Sequence, residues 1–412
     1  MIIPSILIVP GKYNNNKLIS QIPVNESADF TVSRLTTATR VNSNGLINLV
    51  TNNVPRIDYL NQSCPALLVE PAATNQIRNN SMVGAVAGSP GTMPTNWAES
   101  LNGLVRQSVA LGTENGVSYI DIRYSGTATG GSCAVLFETA TQIVASTGQT
   151  WSNSVYLKII AQPNPPVAYR LSMWEYNTSG TVFGGSFATA VVPTTISLQR
   201  FTQTRALTGA TTDRVRPLFD VSMTSGQTYD FTIRIGYPQM EQSSFATSVI
   251  PTTTGIGSRD ADVISASNIN GLIGQTEGTV YIEYNMQTLG VEGYAIRLVA
   301  ANFDNSVHIR RSTANLVTLE LRAANSNVFS QTLAATGFVK AAIAYKSGDI
   351  AAFVNGTQAG STSTSAFTFG ASFTSVNLGT FGAAAFLNDR IRAAALYTTR
   401  LSNNELQLLT KL

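Results

Sequence analysis

The chain has 412 residues, a net charge of +3, 43% hydrophobic residues and only 12% charged residues. That charge fraction is about half the usual value for a soluble protein, and no basic block of the kind that marks a nucleic-acid face occurs. One histidine, His308, and two distant cysteines, Cys64 and Cys133, supply no zinc or iron–sulfur ligand set. One disulfide is arithmetically open, but nothing suggests a disulfide scaffold. Both thiols are expected free and buried, as free cysteines commonly are. No apolar run reaches the roughly 18 residues of a membrane span, so no membrane partner is expected. The length suits two or three domains, and the abundance of Ser, Thr, Asn, Gly and Val points to β-structure with many turns.

The amino terminus reads MIIPSILIVPG. It lacks a positive n-region and is interrupted by Pro4 and Pro10, which fails the signal-peptide pattern. Synthesis in a cytoplasm is expected, with departure only as part of a particle. Ile2, Ile3, Ile6, Leu7, Ile8 and Val9 would be adhesive in water. They read either as an arm that adds to a partner subunit or as an edge strand of the chain's own sheet. On the first reading, removal of Met1 to Pro10 leaves the rest folded and abolishes attachment. Residues 1–95 as a whole are expected to form an extended attachment or collar region.

Residues 96–250 alternate with period two over Gly116–Tyr124, Ser152–Ile160, Val167–Tyr176, Phe201–Ala206, Arg214–Met223 and Thr228–Ile235. Short strands at this spacing predict a two-sheet sandwich. Residues 251–267 read as a Thr/Gly linker. Residues 268–412 predict a second all-β unit, with strands at Gly278–Tyr284, Ala341–Tyr345, Ile350–Val354 and Arg390–Tyr397. Asn355-Gly356 is a strong hairpin signal. Ser402 and Glu405 form a capping box that predicts one closing helix. The fold class is therefore all-β: an extended N-terminal region followed by two tandem antiparallel β-sandwiches.

Three spaced blocks carry a family resemblance: Phe30–Ile47, Val54–Tyr59 and Cys64–Asn75. They resemble the opening of head-fibre and tail-fibre proteins of phages that infect Bacteroides-type hosts, the crAss-like phages. The order from Trp97 to the close at Tyr229–Thr252 resembles a carbohydrate-binding-module jelly roll, and its "PQxExxxxxTSxIPT" ending recurs in the same phage proteins. The strand, "VNG" hairpin, late strand and "LSxxEL" order after residue 268 resembles a concanavalin-A-like or laminin-G-like sandwich. The resemblance implies a virion structural protein on the particle surface, on the head or the tail. It implies capsid or tail proteins as partners, a homo-dimer or homo-trimer, and adhesion to host-surface or mucosal glycans.

Motifs for chemistry are missing. There is no nucleophile elbow, no phosphate-binding glycine loop, and no E-x-D-x-x-E glucanase strand after Glu283. Asp213, Asp220, Asp230, Glu138 and Glu175 could still converge as the carboxylate pair that glycosidases need, roughly 5–10 Å apart, but they read as loop and rim charges. No catalytic residue and no metal ligand is assigned. Calcium is common in such folds, with Asp260 and Asp262 as weak candidates. Trp174 and Tyr176 lie two apart and share a face. They are a candidate sugar platform if that face is open, and core residues if it is not.

Overall fold

The computed structural model describes residues 2–182, 187–300, 304–382 and 384–412. Met1 lies outside them. Among the described residues the regular elements are β-strands, apart from a 3-10 turn at Asn270–Leu272 and one α-helix at Asn403–Thr410. Ser402 and Glu405 cap that helix reciprocally, as their spacing predicts.

The chain divides into two compact units. One comprises Met1–Ala72 with Asp260–Leu412, and the other Ala73–Arg259. The second is thus an insertion into the first, and the division differs from boundaries at 95, 250 and 267. Residues 1–72 are not a separate collar. Ile6–Ile8 pairs antiparallel with the late strand Asp389–Tyr397, Ile6 opposite Leu396 and Ile8 opposite Ala394. Ala66–Val69 pairs with the start of that same strand, and Phe30–Ser33 pairs with Val263–Ser267. Val263–Ser267, read as linker, is an internal strand. The physical reason for the difference is that these N-terminal strands are two to four residues long, too short to show a period, and their partners lie at the other end of the chain.

Among the described residues the larger unit holds an eight-stranded and a nine-stranded sheet. Their facing sides bury one core that includes Ile8, Phe30, Val32, Ile264, Leu298, Ile309, Leu319, Ile343 and Leu396. Burial at about 25 cal/mol per Å² is what holds two such sheets together. Asn355-Gly356 turns the hairpin between Asp349–Val354 and Thr357–Gln358, both residues with positive φ, which is the type I′ geometry that favours Asn-Gly.

The three signature blocks meet in this unit as a buried ion cluster. Arg34 donates to Asp262 at 2.8 Å and to the carbonyls of Thr36, Thr51 and Val54. Arg56 donates to Glu70 at 2.6 Å and also to Asp262. The Glu70 amide donates to Asp262 at 3.0 Å. Both oxygens of Asp262 are therefore engaged by guanidinium groups, which is a structural role rather than that of a calcium ligand. Among the described residues no group of three or more His, Cys, Asp or Glu side chains is placed to hold a metal.

Among the described residues the inserted unit holds two five-stranded antiparallel sheets, besides the short pairing of Ala73–Asn75 with Gly257–Arg259. One runs Ala98–Ser100, Ser132–Leu136, Arg214–Ser222, Ala168–Tyr176, Phe187–Val191 across the sheet. The other runs Val105–Glu114, Val117–Thr127, Thr228–Glu241, Thr150–Ala161, Gln199–Ala206. Their core includes Ile120, Ile122, Trp151, Leu157, Leu171, Phe219, Phe231 and Ile233. Trp97 is buried, donates its indole N–H to the Asn79 carbonyl at 2.7 Å and meets Phe137 edge-on, so it closes one end of the core. The "PQMEQSSFATSVIPT" ending is a hydrogen-bonded lock. Glu241 accepts from the Thr247 amide and hydroxyl, the Ile250 amide donates to Gln239, and the Thr252 amide donates to Asn80. Cys133 is buried as expected, whereas Cys64 is exposed, because it stands in a turn ahead of Ala66–Val69.

Candidate functional site

Residues of Ala168–Tyr176 alternate between two faces. Tyr169, Leu171 and Met173 enter the core, so Arg170, Ser172, Trp174 and Tyr176 lie on the outer face. Trp174 is therefore not a core residue between the sheets. It packs on the group of Ala134, Leu136 and Leu218, a small apolar cluster on that outer face that Ala98 also borders, and stays half-buried. Leu136 and Leu218 sit on the solvent side of their strands and need a cover, and the indole supplies it.

Polar groups flank the ring. Arg216 stands opposite Trp174 on the neighbouring strand and donates to the Glu138 carbonyl at 2.6 Å. One row away on the same face, Ser172 donates its hydroxyl to Asp220 at 2.5 Å, and Arg170 Nε donates to the same carboxylate at 2.5 Å. The arrangement is an aromatic surface beside two half-buried arginines, Arg170 and Arg216, with Ser172 and Asp220 buried beneath as their support, and an aromatic face with fixed donors is a combination that orients a sugar by its C–H face and hydroxyls. Tyr176 shares the face, but at 6% exposure it offers no ring surface. Of the two candidates, only Trp174 is accessible.

The carboxylates considered for catalysis do not pair with one another. Each meets its own arginine: Glu138 with Arg78, Glu175 with Arg205, Asp213 with Arg214, Asp220 with Arg170 and Asp230 with Arg123. Arg123 also holds the Asp230 carboxyl below its usual range through the hydrogen bond between them. Glu283 accepts from the Tyr281 hydroxyl at 3.1 Å and lies 3.6 Å from Arg392.

In the larger unit the sequence missed a second cluster. His308 reads as an ordinary strand residue, and it is buried at 1% exposure. Yet Val307 and Ile309 fill the core, so His308 lies on the outer face of the nine-stranded sheet. Its Nε2 is 2.8 Å from Glu320 and its Nδ1 is 3.3 Å from the Ser306 hydroxyl. A neutral ring that donates from Nε2 and accepts at Nδ1 satisfies both contacts. Burial lowers the His308 pKa against the opposing pull of Glu320, which agrees with that tautomer. Burial alone would raise Glu320, but hydrogen bonds from His308 and Arg310 outweigh it and hold the carboxyl at about 2. Tyr294 stands 5.0 Å from both His308 and Phe381, and the Arg297 guanidinium lies 4.3 Å from the Phe381 ring centre. No motif announces this group, because its members come from separate strands and a loop.

The amino-terminal residues divide. Ile6 and Ile8 are in the chain's own core, and Leu7 is half-buried against Tyr281, Ala395 and their neighbours. The edge-strand reading therefore holds for Ile6–Ile8, and these residues are not free to join a partner. Ile2, Ile3 and Val9 remain exposed.

No protein-family model matches the chain, and no curated protein matches it. Solved structures that align with parts of the chain include the CBM40 of Ruminococcus gnavus IT-sialidase bound to α2,3-sialyllactose. It has 20% identity and a TM-score of 0.30, over 34% of this chain and 84% of that one. Another is the tandem CBM22-1–CBM22-2 of Paenibacillus barcinonensis Xyn10C, at 11% identity and a TM-score of 0.26, over 78% of this chain and 99% of that one. Trypanosoma rangeli sialidase aligns at 9% identity and a TM-score of 0.30, over 93% of this chain and 77% of that one. Likeness this distant says nothing of a ligand, and the all-β class rests on the sheets described above.

Proposed function

We propose that this protein is a phage virion component that projects from the particle, on the head rather than the tail, and holds host-surface or mucosal glycans through the inserted sandwich. The observation that carries the glycan reading is the position of Trp174 on an outer sheet face, over Leu136 and Leu218 and beside the Arg170–Asp220–Ser172 group. The virion reading rests on the three signature blocks and the "PQMEQSSFATSVIPT" ending. Several copies on one particle, as dimers or trimers, would make weak sites effective through multivalency. Ile2, Ile3 and Val9 keep the role of particle attachment in this reading.

Binding without catalysis is supported by the carboxylates, each of which is engaged by its own arginine instead of standing opposite a second carboxylate as a glycosidase pair does. The test is a glycan array probed with the parent protein and Trp174→Ala, paired with labelling of intact particles by antibody. Array signals lost in Trp174→Ala support the proposal, and a blank array for the parent favours a decoration protein without a ligand. Release of reducing ends from capsular polysaccharide favours the second reading, a tail depolymerase.

A further inference from the structure

We propose that the outer face of the nine-stranded sheet around Tyr294, Arg310 and Glu292 is a second saccharide site, and that it takes a neutral pyranose presenting vicinal hydroxyls. The inference extends the glycan reading to the other unit, and rests on it.

The surroundings make the cluster stand out. Much of the same face is small and polar, with Thr31, Ser265, Ser267, Ser375, Ser330 and Thr332 on it, and Arg322 stands opposite Ser306. Among these lie a buried histidine, a buried tyrosine and a largely buried arginine, His308, Tyr294 and Arg297. A sheet's outer face gains no core by burying ionisable groups, and desolvating them costs stability unless every contact is made. Such a cluster is a site candidate on physical grounds.

The ligand class follows from charge and from open valences. Within the cluster Arg297 and Arg310 are matched by Glu292 and Glu320 and His308 is neutral, while the next arginine on the face, Arg322, is held by Asn325, so the group around Arg310 has no net charge to offer an acid. Tyr294 reports the closeness of these groups. Burial first, then Glu292, raises its pKa, with Glu320 adding to the rise and both arginines opposing it. Arg310 donates from Nε to Glu320 and from Nη1 to Glu292, each at 2.8 Å. Its Nη2 has no partner among the described residues, and the Glu292 side chain is 43% exposed. One open donor thus stands next to one open acceptor. Adjacent hydroxyls on a ring match that pair, one accepting from Arg310 and the next donating to Glu292. The half-buried Phe381 packs beside Tyr294 and under the Arg297 guanidinium, so the Arg310–Glu292 pair, rather than an open ring face, carries the site.

The experiment uses the full-length protein in three forms: parent, Trp174→Ala, and Trp174→Ala with Glu292→Gln. Saturation-transfer NMR is recorded with methyl glycosides of galactose, glucose, mannose and N-acetylglucosamine, and with glucuronic acid. The expected result is that Trp174→Ala still receives saturation from at least one neutral glycoside, and that adding Glu292→Gln weakens that binding about tenfold, the worth of one charge-assisted hydrogen bond. Trp174→Ala with Arg310→Lys, which keeps the charge but loses the fork, should do the same. Unchanged thermal unfolding of the larger unit shows that the exposed Glu292 change spares the fold. If Trp174→Ala binds nothing while the parent binds, the second site is refuted and the first stands. Binding confined to glucuronic acid, or indifferent to Glu292→Gln, refutes the neutral-diol assignment. A parent that binds no glycoside overturns both sites.

Discussion

Truncating Ile8 should destabilise the larger unit and leave the inserted one untouched. Ile8 is 0% exposed and lies in the same core as Leu396 and Ala394, the residues its strand pairs with. Ile8→Ala deletes fully buried carbons and leaves a cavity between two sheets, a loss of about 3 kcal/mol within the usual range of roughly 2–5. For units of about 150–250 residues, ~1 kcal/mol moves Tm by roughly 2–4 °C, so the expected drop is about 6–12 °C. Deleting residues 2–10 removes Ile6 as well, together with the Ser5 hydrogen bonds to the Leu272 and Leu396 carbonyls. That sums to more than about 6 kcal/mol, comparable with the whole stability of many domains. The assay exploits the tryptophans. Trp97, Trp151 and Trp174 all belong to Ala73–Arg259, so indole emission follows the inserted unit alone, while hydrogen exchange follows both. The account expects the emission midpoint to stay fixed and the amides of Asp389–Tyr397 to lose protection. A truncated chain with protection equal to the parent's would refute the reasoning and restore the picture of a detachable arm.

Removing Arg56 leaves Glu70 and Asp262 buried without their shared partner, so Arg56→Ala should cost about 3–5 kcal/mol; urea unfolding followed by far-UV circular dichroism measures it, and a loss under about 1 kcal/mol would contradict the cluster's role. The larger unit should weaken in acid. His308 has a folded pKa below its ordinary 6.5, so the unfolded chain takes up a proton first and stability falls as pH drops below about 6.5. Glu320 is depressed from 4.5 to about 2, so its contribution is whole above 4.5 and is lost as pH falls from there toward 2. A Tm for this unit that is flat from pH 7 to pH 4 would refute the assignment, and His308→Gln should flatten the upper part of the curve. Gly236→Ala should destabilise the inserted unit by about 1–3 kcal/mol, since a Cβ there would lie 2.5 Å from Val117 Cγ1 and 2.9 Å from the Ser118 carbonyl; an unchanged indole midpoint would show that the strands can separate to admit it.

Legibility in the sequence tracked strand length and locality. The long strands of the inserted unit, such as Val117–Thr127 and Thr150–Ala161, alternate over enough residues to be read directly. The Asn355-Gly356 turn and the Ser402–Glu405 box are complete within four residues. The amino-terminal strands were not legible, because Ile6–Ile8 or Ala66–Val69 has meaning only beside Asp389–Tyr397. The signature blocks were visible as words, but their physics was hidden. Arg34, Arg56 and Glu70 converge on Asp262, which stands more than 190 positions beyond Glu70. Spacing placed Trp174 and Tyr176 on one face, yet only the packing on Leu136 and Leu218 shows that the face is the outer one. The His308 group could not be read at all, since Tyr294, Glu320 and Phe381 reach it from separate elements.

A tryptophan-emission titration with a glycan that the array identifies tests Trp174 as the sugar platform. Trp97 and Trp151 are buried in the core of the inserted unit, so a sugar seated on the outer face should alter the emission of Trp174 alone. A saturable change is expected in the parent protein and none in Trp174→Phe, whose affinity should also fall. An equal change in both proteins would place the ligand elsewhere and contradict the assignment of Trp174 as the platform.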